Sequence, residues 1–176
     1  TANFFGVPVV TGNNAPANGI DITGVDFTVR DEKGNPVPDV EVVITTTNGA
    51  QPDTITLTTN SNGVVHVDIT STTPGDSTVS ASVNGHAQST DVTFIDPIAS
   101  ITVSGEVDGF PVVGIPLTAT YTCVTTCPAA VSWQWRIETS VGSGVYEDIP
   151  GATTDSYTPV KGDQIRRIQA IVSVQP

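Results

Sequence analysis

Apolar and polar residues alternate with a period of two along nearly the whole chain, the signature of half-buried β-strands rather than helices. Phe4 to Val10 is an apolar stretch, followed by a loop over 11–19. Ile20 and Ile22 alternate, Gly24 interrupts, and Val25, Phe27 and Val29 continue in the opposite phase. A one-residue slip at a glycine within a strand predicts a β-bulge at Gly24. Asp31 to Pro36 is a turn, after which Val40, Val42 and Ile44 line one face of the next strand. Ile55 and Leu57 mark a short strand. Asn60-Ser-Asn-Gly63 turns into Val65, Val67 and Ile69, and Thr73-Pro-Gly-Asp76 turns into Val79, Ala81 and Val83. Asn84-Gly85 is the strongest hairpin signal, because a type I′ turn needs φ > 0 at both central residues. The return strand ends at Val92 and Phe94.

Short strands separated by regular turns predict a β-sandwich. Asp96-Pro97 stops the last of them, so a domain boundary is expected at residue 96, giving segments 1–96 and 97–176. The join is short, which predicts a restrained, end-to-end pair. In the second segment Ile101 and Val103 form one strand, and Leu117, Ala119 and Tyr121 form another that runs into Cys123. Val131, Trp133, Trp135 and Ile137 share a face of a third; Tyr146, Ile149 and Tyr157 mark shorter ones; Ile168, Ala170, Val172 and Val174 alternate in the last. A tryptophan-bearing strand facing a Leu-Ala-Tyr strand again predicts two packed sheets. The expected fold class is all-β, two tandem β-sandwiches.

Composition sharpens this. The chain has 27 Thr and 26 Val against two Leu and no Met, a bias toward residues that fit pleated surfaces and away from good helix formers. Its 16 Gly and 13 Pro supply turns. Six Lys plus Arg against 18 Asp plus Glu give a net charge of −12. Phosphate backbones need cations to displace counterions, so no nucleic-acid partner is expected, and anionic membranes should be repelled. No apolar run reaches the length that spans a bilayer, so no membrane insertion is expected. Residue 1 is Thr and no leader follows, which predicts a processed protein or an excised fragment.

The two cysteines, Cys123 and Cys127, are four residues apart. Cys123 precedes Trp135 as the first cysteine of an antibody-type domain would, but the last strand carries no second one. Along a straight strand they would lie about 13 Å apart, so a bridge requires 124–126 to turn back sharply; Pro128 favours such a loop. An oxidising compartment favours the disulfide. Two free thiols, or part of a metal site without nearby His or Cys, are the alternatives.

No nucleophile elbow, zinc-protease helix, phosphate loop or dinucleotide fingerprint occurs. His66 and Asp68 share the outer face of one strand, which is half of a metal site or an ordinary polar face. His86 follows the Asn84-Gly85 turn and is expected to be exposed. Glu106/Asp108 and Glu147/Asp148 lack a calcium-loop frame. Lys33 and Lys161 both sit in turns, so an isopeptide crosslink is not expected. No enzyme activity and no cofactor are expected.

Certain segments carry a resemblance. These are Asn18-Gly-Ile-Asp-Ile-Thr-Gly-Val-Asp-Phe-Thr-Val-Arg30, Asp31-Glu-Lys-Gly-Asn-Pro-Val-Pro-Asp-Val-Glu-Val-Val-Ile-Thr-Thr-Thr47, Thr59 to Ser71, Pro74-Gly-Asp76 and Val79-Ser-Ala-Ser-Val-Asn-Gly85. Residues 14–95 resemble the bacterial immunoglobulin-like domain, group 1, of the invasin and intimin adhesins. His66, Asp68 and 88–91 are more polar than that family's usual strands. Gly109 to Ala119, Ser132 to Trp135 and Ile149 to Pro159 resemble the Ig-like modules that follow such domains in bacterial surface proteins. Similar module pairs occur in proteins secreted alongside an intimin-type exporter. The resemblance implies an extracellular or cell-surface protein, exported through the periplasm, that mediates adhesion or protein–protein recognition in host interaction and virulence. The alternative is a secreted Ig-like protein that docks to an intimin-type outer-membrane partner and tunes virulence.

The expected partner is a host receptor or a bacterial outer-membrane protein, engaged by a single copy of the chain. Binding residues concentrate on loops held by rigid scaffolds. That places recognition on the longer loops of the second segment: Val124, Thr125 and Thr126 between the cysteines, Ser143, and Thr153, Thr154 and Asp155.

Overall fold

The computed structural model describes residues 4–175. Thr1 and Pro176, the outer ends assigned to the two segments from sequence, lie outside the described residues. The fold is all-β, with no helix among the described residues. Two compact units are present, the first ending at Pro97 and the second spanning Ile98–Gln175.

The first unit contains β1 (Phe4–Phe5), β2 (Val9–Thr11), β3 (Ala15–Pro16), β4 (Thr23–Arg30), β5 (Glu41–Thr46), β6 (Thr54–Thr58), β7 (Val64–Ile69), β8 (Gly75–Val83) and β9 (His86–Ile95). β1 and β2 pair with one side of β4 and β7 with the other; β3-β9-β8-β5-β6 form the second sheet. The inward positions are those the alternation selects. Val25, Phe27 and Val29 of β4, Val65, Val67 and Ile69 of β7, Val42 and Ile44 of β5, Val79 and Ala81 of β8, and Val92 and Phe94 of β9 form one core. Asn84 and Gly85 both take positive φ, 49° and 81°, and close the β8–β9 hairpin on the pair Val83↔His86.

One expectation fails. No bulge exists at Gly24: the β4–β7 register runs unbroken from Thr23↔Ile69 to Thr28↔Val64. Ile20 and Ile22 are about half exposed and belong to no strand. The Asn18 carboxamide oxygen accepts the backbone N–H groups of Ile20 and Asp21, at 2.9 and 2.8 Å, fixing a turn there. The phase change is therefore a loop followed by a strand, and the strand's buried face starts at Thr23.

The second unit contains β10 (Ile98–Ser104), β11 (Leu117–Cys123), β12 (Val131–Glu138), β13 (Tyr146–Asp148), β14 (Ser156–Tyr157) and β15 (Ile168–Val174). Two three-stranded sheets form, β10-β11-β14 and β13-β12-β15. Between them lie Leu117 and Ala119 from one sheet, Trp135, Ile137, Ile168 and Ala170 from the other, and Ala152 from a connecting segment. Trp135 is fully buried, and its indole N–H donates to the Thr154 carbonyl at 2.8 Å. Trp133 is half-buried, edge-on to Tyr121 with ring centroids 5.8 Å apart.

Candidate interaction surfaces

Cys123 and Cys127 are joined by a disulfide with Cα atoms 5.3 Å apart. The chain between them turns back sharply and leaves Val124, Thr125 and Thr126 exposed, while Pro128 is buried beneath. Closing so small a ring removes about 2 kcal/mol of unfolded-state entropy. Replacing both cysteines with Ser is therefore expected to lower stability by about 2 kcal/mol without unfolding the chain. Urea titration of the two forms checks this; collapse of the tertiary signal in the Ser form would refute it.

Ser143 sits on the β12–β13 connection, where Gly142 and Gly144 take φ of 71° and 66°. Its hydroxyl accepts the Val145 N–H and donates to the Val145 carbonyl, both at 3.2 Å. The buried Glu138 carboxylate organises this loop. It accepts N–H groups from Gly142 and Gly144 at 3.2 Å and from Arg167 at 3.1 Å. Those bonds, led by that from Arg167, hold the carboxyl below its ordinary value, so the anion persists and the loop stays tied.

Thr153, Thr154 and Asp155 form a strap across the core. Their side chains are exposed. Two of their carbonyls are engaged inward, Thr154 by Trp135 and Asp155 by the Ala119 N–H at 2.8 Å. The three predicted segments do not form one patch. Residues 124–126 precede β12 and Ser143 follows it, and the strand between spans about 23 Å at 3.3 Å per residue. The segment 107–115, which carries none of the predicted contact residues, is more apolar than any of them. Val107, Phe110, Val113 and Ile115 are each 40% exposed or more. Val107 and Phe110 exchange backbone bonds at 3.0 Å across Asp108-Gly109, a dipeptide that is itself a hairpin signal.

In the first unit His66 is held by two carboxylates, not one. Its Nδ1 lies 2.6 Å from Asp26 and its Nε2 lies 3.0 Å from Asp68. Asp68 follows on β7, whereas Asp26 comes from β4, directly opposite His66 in the register, a neighbour that spacing along one strand does not reveal. Gly24 is the platform for the ring: a Cβ there would stand 2.9 Å from His66 Cε1 and 2.7 Å from the Thr11 hydroxyl. Both ring nitrogens face carboxylates, so the protonated ring, with a donor on each nitrogen, satisfies both. Among the described residues no group of three or more His, Cys, Asp or Glu is arranged to hold an ion.

Hydrogen bonds to Asp26 and then Asp68 raise the His66 pKa above its ordinary value of 6.5. A raised folded value means that the clamp stabilises fully below the unfolded pKa. That contribution fades as pH rises through the folded one. Solvent screening of these exposed groups keeps it at roughly 0.2–1 kcal/mol. NMR titration of His66 is expected to give a midpoint above 6.5 that falls in both Asp26→Asn and Asp68→Asn; a midpoint indifferent to either change would refute the clamp.

The remaining charged candidates are dispersed. His86 is exposed, with its ring 5.9 Å from that of Phe4. Glu106 and Asp108 are exposed on the 105–116 segment. Glu147 and Asp148 are consecutive on β13 and so point to opposite faces, and Asp148 pairs with Arg136 Nε at 2.9 Å.

A unit of two packed antiparallel sheets joined by surface loops has the architecture of an immunoglobulin-like domain. Residues 6–95 match the family described as bacterial Ig-like domain (group 1), and the chain belongs to that family. The match begins earlier than residue 14, where the sequence resemblance starts, and takes in β2, which pairs with β4. Among solved structures the chain is similar to invasin, described as a bacterial integrin-binding protein, at 30% identity and a TM-score of 0.62. That likeness covers 96% of this chain but 36% of invasin. The Yersinia pseudotuberculosis adhesin InvE has the same fold at 19% identity and TM-score 0.58, over 94% of this chain and 55% of that one.

Proposed function

We propose that the chain is the exposed, extracellular part of a bacterial adhesin-type protein and works by protein–protein recognition without catalysis. The likeness to invasin carries this reading, because it runs through 96% of the chain at 30% identity. It therefore extends beyond the family match at 6–95 into the second unit. On this reading Ile98–Gln175 is a second Ig-like module, and the functional division falls at residue 96. The partner is a protein on the host-cell surface. The net charge of −12 supports a protein ligand over an anionic polymer. No helix among the described residues is long and apolar enough to cross a membrane. The 124–126 loop, pinned by its disulfide, and the 139–145 loop, pinned by Glu138, are rigid enough to present contacts at low entropic cost.

Binding of the labelled chain to cultured host cells, measured beside binding to bacterial outer membranes, tests the assignment. Saturable host-cell binding is the expected result. Binding confined to outer membranes would favour the secreted, exporter-docking alternative, and binding to neither would overturn both. Residues 1–96 and 97–176 expressed separately then locate the site. Full affinity in residues 1–96 alone would remove it from the second unit.

A further inference from the structure

We propose that the outer edge of β6 pairs with the β6 edge of a second copy of this chain, antiparallel and about a two-fold axis at Thr56. β6 is the end strand of the five-stranded sheet. Its bonding alternation is fixed by neighbours. The Thr46 N–H donates to the Asp53 carbonyl at 3.0 Å, and the Thr59 N–H donates to the Val40 carbonyl at 2.9 Å. Odd-numbered residues thus bond to β5, and the N–H and C=O groups of Thr54, Thr56 and Thr58 point away from the sheet.

Native edges are blunted by charge, proline, bulges or shortness. The opposite edge of the same sheet is the two-residue β3, ending at Pro16. The β7 edge of the other sheet carries His66 and Asp68. β6 has none of these devices: its pairing to β5 is continuous from Thr54 to Thr58, and residues 54–62 contain no charge.

The edge is also self-complementary. Thr-Ile-Thr-Leu-Thr reads alike in both directions by residue class. Antiparallel pairing about Thr56 sets that residue against its own copy, Thr54 against Thr58 of the second copy, and Ile55 against Leu57 of the second copy. Every outward N–H then meets an outward carbonyl. Threonines oppose threonines on the outer face, a favourable cross-strand pair. Ile55 and Leu57, half-buried at the margin of the core, continue the apolar layer. A slip by one residue would set threonine against an apolar side chain, and a slip by two would set Thr58 against Pro52, which has no N–H, or Thr54 against Asn60, beyond the strand. A foreign strand would satisfy the backbone but gains nothing from this symmetry, which is why a second copy is the occupant.

A five-residue ladder is smaller than a standard interface, so the dimer is weak and populated at high concentration, in place of the single copy expected from sequence. The charge of −12 on each copy opposes approach, so screening by salt strengthens the pairing.

Sedimentation equilibrium over a concentration series, at low and high salt, tests this. The expected result is a monomer–dimer equilibrium that tightens with salt and weakens roughly tenfold or more in Thr56→Lys, which sets two ammonium groups against each other across the axis. Circular dichroism confirms that the variant is folded. Under mild oxidation Thr56→Cys is expected to crosslink and Thr54→Cys is not, because only residue 56 meets itself. A chain that stays monomeric up to about 1 mM, a dimer untouched by folded Thr56→Lys, or equal crosslinking at 54 and 56 would each overturn the proposal.

Discussion

Trp135→Ala is expected to cost about 3–5 kcal/mol. Trp135 is the largest side chain in a cluster that otherwise holds Leu117, Ile137 and Ile168 and three alanines, Ala119, Ala152 and Ala170. Small neighbours on rigid strands cannot close over the space that an indole leaves. The substitution also strips the part-buried Thr154 carbonyl of its donor. Domains hold only about 5–15 kcal/mol in total, so the variant's unfolding should begin in little or no denaturant. Trp133 remains as the fluorescence reporter of the second unit during a urea titration. A loss under about 1 kcal/mol would mean that the indole is not the centre of that core.

Gly63→Ala is expected to destabilise the first unit by about 2–4 kcal/mol. Gly63 has φ of 71°, and a Cβ there would stand 2.7 Å from the Val29 carbonyl oxygen and 2.8 Å from the Val37 backbone nitrogen. Both are main-chain atoms already bonded to each other at 3.0 Å, and the Gly63 carbonyl itself accepts the Val29 N–H at 2.8 Å. Relief requires moving β4. Gly34→Ala is the control: its φ is 83°, yet nothing lies within 4 Å of the added carbon, so only the left-handed backbone penalty of about 1–2 kcal/mol applies. Equal losses in the two variants, read from chemical denaturation, would show that the crowding at Gly63 carries no cost.

Strand faces were legible because one-sided burial leaves a strict period of two. Val25, Phe27 and Val29 are inward for the reason that a one-residue shift would expose all of them. The Asn84-Gly85 hairpin was legible because few residues accept its backbone angles. Ile20 and Ile22 misled: their alternation imitates a strand, while the Asn18 side chain, which periodicity ignores, folds them into a turn. The His66 clamp was half legible. Asp68 is two residues away on one strand, but Asp26 meets the ring only through a cross-strand register that a single sequence does not print. The cysteine pair marks 124–126 and the glycines mark 142–144 as exposed loops, and the strand expected over 131–137 already separates them along the chain. The β6 edge lay hidden for a different reason: Thr-Ile-Thr-Leu-Thr reads as an ordinary strand until the sheet order leaves it outermost.

β3 pairs with β9 in parallel, Ala15 beside Phe94 and Pro16 beside Ile95. The Asn14 N–H donates to the Thr93 carbonyl at 3.0 Å and the Ala17 N–H to the Ile95 carbonyl at 2.8 Å. Tension entering the chain at Asn14 and leaving at Asp96 pulls these two strands lengthwise past each other. Their bonds must then break together, whereas an antiparallel pair pulled at its open end parts one bond at a time. Between Asn14 and Asp96 the first unit is thus latched against stretching, and under load applied at those two points its lifetime is set by the rate of breaking that latch, not by its equilibrium stability.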